Sequence, residues 1–232
     1  LERQLRFMFD LPRLHRKILC GLITSQEITG LFQTYSAIKV IINNVTKNTI
    51  LREPFTPEQF DNYLNVFNNN FTEEKAQLAS NDISPFNTNK YKEIGSIEDE
   101  IKNIMHNFKS IKSEIAIKGG VNEDAIRLEE REKEPFGLKG STITLQQLKK
   151  NIKELPEGTK ISELKSGGWI DCNKLQHLNT QLQKSREKLS NLVRTHLIEA
   201  CYDISEAGQQ IWQLMEVWIS HIDCTQCIGR VS

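Results

Sequence analysis

The sequence predicts a mainly α protein with a small β module: a helical core, a pair of long helices and a strand-containing segment between them. Three observations predict it. From Asp171 onward, Leu175, Leu178, Leu182, Leu189, Val193, Leu197, Cys201, Ile204, Ile211, Met215, Trp218 and Ile222 recur mostly at steps of three and four or their sums, the period of one helix face. No proline falls between Asp171 and Ser232. Roughly fifty residues of helix would span about 75 Å, longer than an ordinary core needs, so the stripe requires a partner. Upstream, Ile97, Ile101, Ile104, Phe108, Ile111 and Ile115 alternate steps of four and three, an a/d seam that supplies one. Between the two, from about Gly119 to Gly168, glycines, two prolines and short runs such as Ala125-Ile126-Arg127-Leu128-Glu129 replace the helical texture.

The elements follow in order. Leu1 to about Val45 reads as helical, with Leu5, Met8 and Phe9 leading to Asp10-Leu11-Pro12, where proline fits a first helical turn behind a cap. Leu14, Ile18 and Leu22 follow, and Thr24-Ser25-Gln26-Glu27 reads as a second start ahead of Ile28, Leu31, Phe32, Tyr35 and Ile38. Thr56-Pro57-Glu58-Gln59 combines a capping threonine, proline at N1 and glutamine at N3. Phe60, Leu64, Phe67 and Phe71 form its stripe, and the polar stretch from Ser80 to Gly95, with Pro85, reads as a loop. Ser96-Ile97-Glu98-Asp99 reads as the capping box of the first long helix and Asp171 as the cap of the second.

Composition narrows the function. The 232 residues carry 30 basic and 30 acidic side chains, so net charge argues neither for nor against nucleic acid. No apolar run is long enough to span a membrane, and no basic-then-apolar signal segment opens the chain. Five cysteines at irregular spacing form no disulfide framework and point to an intracellular, reducing setting. The start at Leu1, without methionine and inside a helical pattern, suggests a fragment of a longer protein.

Motifs for catalysis are absent. Gly119-Gly120 and Gly167-Gly168 lack Walker spacing and its lysine, and no GxSxG or HExxH occurs. Cys224-Thr225-Gln226-Cys227, with His221 nearby, has no second pair, so it reads as cysteines near a helix end rather than a metal or redox site. The run Glu129 to Glu134, interrupted by Arg131 and Lys133, reads as a solvated strand or hairpin. Trp212 and Trp218 lie in the helical stripe and read as core; Trp169 lies outside it and could be a binding aromatic. Around Gly137 to Gly140, by contrast, Lys139, Lys149, Lys150 and Lys153 gather with Lys109, Lys112 and Lys118 of the approaching helix, among Ser141, Thr142 and Thr144. Lysines, hydroxyls and backbone amides suit phosphate contacts that carry no sequence information.

The order of parts resembles the core, lever and clamp of the MutS family of DNA mismatch-recognition ATPases. The similarity runs through Asp10-Leu11-Pro12-Arg13-Leu14-His15-Arg16-Lys17-Ile18 with Gly21, Glu27-Ile28 through Leu31 with Tyr35-Ser36, and Lys92-Glu93-Ile94-Gly95-Ser96-Ile97-Glu98-Asp99-Glu100-Ile101. It continues through Ile126-Arg127-Leu128 with Phe136-Gly137-Leu138-Lys139-Gly140-Ser141-Thr142, then Trp169-Ile170-Asp171-Cys172-Asn173-Lys174-Leu175 and His221-Ile222-Asp223. Pro12 departs from an acidic family position, and Pro135-Phe136-Gly137 departs from the clamp's Gly-aromatic-aromatic. The asparagine-rich composition is similar to the branch found in large DNA viruses and octocoral mitochondria.

The resemblance implies residues 1–55 as part of the helical core, 56–118 as outward lever helices, 119–170 as the clamp with its strands, and 171–232 as the return lever ending near the core. It implies double-stranded DNA and a second MutS-like subunit as partners, with Lys139, Lys149, Lys150, Ser141 and Thr142 as backbone contacts. It implies no cofactor or metal and no catalysis within this chain; ATP and magnesium belong to an ATPase domain outside it. The alternative from the residues alone is the coiled-coil stalk of a scaffolding protein that binds a protein partner at its tip.

Overall fold

The structure, a computed structural model, describes residues 2–45, 51–131 and 136–231. It is mainly α with one small antiparallel sheet. The chain divides into two units, residues 1–95 with 191–232, and residues 96–190. No described helix is long and apolar enough to cross a membrane.

The first unit contains α1 (Glu2–Leu5), α2 (Leu11–Leu19), α3 (Ser25–Val45), α4 (Pro57–Asn70) and α5 (Glu73–Gln77), with the start of α6 (Lys92–Gly119), the end of α8 (Asn173–Gly208) and α9 (Trp212–Val231). Its helix starts follow from local chemistry. Asp10 accepts the Arg13 amide at 3.1 Å to cap α2. Thr24 and Glu27 exchange backbone and side-chain bonds at 3.1 and 3.3 Å ahead of α3, and Thr56 and Gln59 do the same ahead of α4 at 2.8 and 3.1 Å. The core is aromatic: Tyr35 meets Phe60, Tyr63 and Phe67 edge to face, and Phe71 at the end of α4 packs on Phe86 of the loop that the sequence marks as polar.

Four expectations are corrected. Segment 56–118 is not a run of outward helices, because α4 and α5 belong to the first unit, where α4's Tyr63 and Phe67 are buried against Tyr35. The first long helix starts at Lys92, so Ser96 lies inside it rather than at its cap; the Tyr91 carbonyl accepts the Gly95 amide at 3.2 Å and opens the helix one turn earlier. Asp171 ends a strand, and Cys172 takes the position before α8, its sulfur accepting the Lys174 and Leu175 amides while burial pushes the thiol up. The return helix is two helices. Gly208 has no side chain, and the space its Cβ would fill is taken by the Trp212 ring, 2.2 Å from that point. The chain closes a turn there, with the Ile211 amide on the Gly208 carbonyl at 3.0 Å, before α9 begins.

The displaced Trp212 stacks on His15 at 4.3 Å between centroids. His15 Nδ1 lies 2.6 Å from Glu216 Oε1 and Nε2 lies 3.1 Å from the Tyr35 hydroxyl, which shares a 2.5 Å bond with Tyr63. A neutral ring with its proton on Nδ1 satisfies both contacts, and burial drives the imidazole down to about 3. Trp218 donates to the Leu51 carbonyl at 2.8 Å, a second tie between α9 and the core.

In the second unit α6 and α8 run antiparallel. Ser185 donates to Glu100 at 2.9 Å, and Lys174 donates to Glu114 at 2.9 Å, so positions advance along one helix as they retreat along the other. Ile101, Phe108 and Ile115 are buried, as are Leu175, Leu182 and Leu189. After a 3-10 turn at Glu123–Ala125 come β1 (Ile126–Glu129), β2 (Gly137–Gly140), α7 (Thr142–Lys150), β3 (Lys160–Leu164) and β4 (Gly167–Asp171). The strands pair in the order β1-β2-β4-β3. Leu145 of α7 lies against Gly140 and Gly168, which sets this helix on the sheet face that carries the buried Ile126, Leu138 and Ile170.

Phe108 is fully buried and its ring meets Phe136 at 5.8 Å. Phe108→Ala is expected to cost about 3–5 kcal/mol in denaturant unfolding; a loss under about 1 kcal/mol would mean the seam does not pack this way. His15 gives a pH dependence. Because it titrates near 6.5 when unfolded and about 3 when folded, the unfolded chain takes up the extra proton between those values and stability falls as pH falls. The limiting slope is about 1.4 kcal/mol per pH unit, and the Glu216 carboxyl, raised by burial, opposes part of it. The urea midpoint followed by tryptophan emission should drop between pH 6.5 and 5, and His15→Gln should flatten that drop. Identical pH profiles for the two proteins would contradict a buried neutral His15.

Candidate nucleic-acid interface

Strand alternation decides which residues share a face. On the side away from α7, cross-strand pairing sets Arg127 opposite Lys139, Lys139 opposite Trp169, and Trp169 opposite Ser162, a row across all four strands. Glu129, Gly137, Lys160, Leu164 and Asp171 share this side by the same register. Arg127 and Ser162 are exposed and Trp169 is half-buried, so this face is open to solvent.

The row is built around the indole. Lys139 Nζ lies 5.5 Å from the Trp169 ring centroid and the Arg131 guanidinium lies 4.7 Å from it. Gly137 makes room for this arrangement: a Cβ there would sit 2.4 Å from the Arg131 stem and 2.9 Å from the Trp169 ring. Lys139 also donates to Glu129 at 2.8 Å. At the edge of the row a cavity of about 400 Å³ is lined by Arg127, Lys139, Ser141, Thr144 and Ser166, with Asp124 and Glu129 as its acids.

The structure separates the five expected contact residues into two groups. Lys139 and Ser141 meet at the cavity. Ser141 is also the cap of α7, accepting the Thr144 amide at 3.3 Å and bonding the Thr144 hydroxyl at 2.8 Å, and Thr142 is the exposed first residue of that helix. Lys149 and Lys150 sit at the other end of α7, which covers the opposite sheet face. Lys149 donates to Glu163 at 2.7 Å, whereas Lys150 is exposed with no ion pair among the described residues. Lys112 and Lys118 face Glu123 and Glu114, and the Glu114 carboxyl is held below its usual range by hydrogen bonds from Lys118 and Lys174. Lys112, Lys118, Lys139, Lys149 and Lys174 of this unit each face a local acid. Such exposed pairs are worth about 0–1 kcal/mol and exchange readily for phosphate.

The remaining sequence candidates resolve simply. Trp212 and Trp218 are core. Cys224 and Cys227 are exposed on α9, and among the described residues no group of His, Cys, Asp and Glu could hold a metal ion. Of the acidic run, residues 132–134, and Pro135 of the departing motif, lie outside the described residues. The sequence did not single out Arg127, which lies in the same cross-strand row as Lys139 and Trp169, or Asn179. The Asn179 amide accepts the Phe136 N–H at 2.9 Å and donates to its carbonyl at 2.8 Å, fastening the strand entry to α8. The period-2 alternation within each strand was readable; the register between strands was not.

No protein-family model matches the chain, and no curated protein matches its sequence.

Proposed function

We propose that this chain is the core, lever and clamp region of a MutS-like protein and that its second unit grips the backbone of duplex DNA without reading sequence. The observation that supports this reading is the construction of that unit. One helix enters it, a four-stranded sheet with a covering helix follows, and an antiparallel helix leaves it. Lys139, Lys149, Lys150, Ser141 and Thr142 supply the backbone contacts. The helix pair would couple that grip to an ATPase domain outside this sequence, where ATP and magnesium would act, and a second subunit would close around the same DNA. The chain itself performs no catalysis in this reading.

A scaffold that docks a protein partner is the second reading. The pairing of Lys139 with Glu129 and of Lys149 with Glu163 favours it, because a mixed-charge surface suits protein as well as phosphate.

Salt dependence separates the two. One clamp alone should bind duplex DNA with a Kd of about 10⁻⁴–10⁻⁶ M, and the affinity should fall steeply with added salt. Alanine at Lys139, Lys149 and Lys150 should flatten the log–log slope by about one unit per lysine, equally on matched and mismatched duplexes. Salt-independent binding, or a triple variant that binds as the parent does, would remove these lysines from the DNA interface and leave the scaffold reading.

A further inference from the structure

We propose that the open sheet face also binds an unpaired nucleotide of single-stranded DNA, with the base stacked on Trp169 and the flanking phosphates at Arg127 and Lys139. This inference rests on the nucleic-acid reading above and goes beyond it, since a clamp on duplex backbone needs no aromatic ring. The packing of the unit does not call for Trp169 either. The buried side chains of the sheet, Ile126, Leu138 and Ile170, point to the face under α7, and Trp169 points the other way.

Neighbouring strands lie about 4.8 Å apart. Lys139, one strand away from the indole, and Arg127, two strands away, therefore stand at about 5 and 10 Å from it in the sheet. That is the scale over which a nucleotide spreads its base and phosphates. A paired base hides its π face inside the duplex, so only an unpaired base can lie on the ring, and stacking of this kind tolerates any base.

Charge selects the occupant. Arg127, Lys139 and Lys160 share the face, and Arg131 sits over the ring. The two acids of the face are occupied: Glu129 accepts from Lys139, and Asp171 accepts the Cys172 amide at 2.9 Å and the Gln176 side chain at 3.2 Å. Asp124 is a third acid, at the adjoining cavity. A cation–π contact at this half-buried ring is no stronger than a base stack, and an incoming base replaces the Arg131 guanidinium over the ring. The serine and threonine hydroxyls of the adjoining cavity receive the next phosphate.

The test is an emission titration of the whole chain with a thymidine oligonucleotide and with a duplex of equal length. Trp212 and Trp218 are buried in the other unit, so quenching by the single strand reports Trp169. The single strand should bind more tightly than the duplex and quench part of the emission. Trp169→Ala should weaken single-strand binding by about tenfold or more and abolish the preference, while Trp169→Phe, which keeps a ring, should lose less. If the alanine variant fails to fold by circular dichroism, the phenylalanine variant and the parent's quenching decide. Single-strand binding without quenching, or equal binding by parent and Trp169→Ala, would overturn the stacking inference and leave the duplex grip standing. Failure of both nucleic acids to bind would overturn the DNA reading itself.

Discussion

The second unit depends on one interaction, the burial of the α6 seam against α8. Ile101, Phe108 and Ile115 are within one per cent of full burial, as are Leu175 and Leu182. The sheet has few residues of its own with which to build a core, since its strands are four or five residues long. Short strands gain independent stability only when a hydrophobic face packs on something else. The helix pair provides that support, and Asn179 and the Phe108–Phe136 contact transmit it to the strand entry. The polar ties at Ser185–Glu100 and Lys174–Glu114 add register more than energy, being partly or fully exposed.

The first unit is held by a different device. His15, Glu216, Tyr35 and Tyr63 form a continuous polar chain inside an aromatic core, closed over by Trp212. A buried chain of this kind is stable only when every member is satisfied. It joins α2, α3, α4 and α9, and the break at Gly208 is what lets Trp212 reach it.

Much of this was legible in the sequence where the signal was local. The caps at Asp10, Thr24 and Thr56 were read from adjacent residues and formed as read. The two stripes were read from period alone; Ile101, Phe108, Ile115, Leu175, Leu182 and Leu189 are buried in the second unit, whereas Cys201, Ile204, Ile211, Met215, Trp218 and Ile222 are buried in the first. What failed depended on partners distant in the chain. No proline marks the end of α8; a glycine marks it, and the glycine's meaning lies in a tryptophan folding back over it. Ser96 has the local pattern of a cap, but the preceding loop starts the helix at Lys92. At the candidate site, Lys139 was found from composition, but its position beside Trp169 and Arg127 follows from strand register, which alternation within one strand does not specify. Lys149 and Lys150, near in sequence to Lys139, fall on the other side of the sheet because α7 crosses it.

The central claim is that the sheet-bearing unit is where this chain meets DNA. Photo-cross-linking of duplex DNA to the chain at low salt, followed by peptide mapping, tests it most directly. The account predicts cross-linked peptides from residues 126–131 and 136–171, lost as salt is raised. Cross-links confined to residues 1–95 and 191–232, or a pattern insensitive to salt, would contradict it.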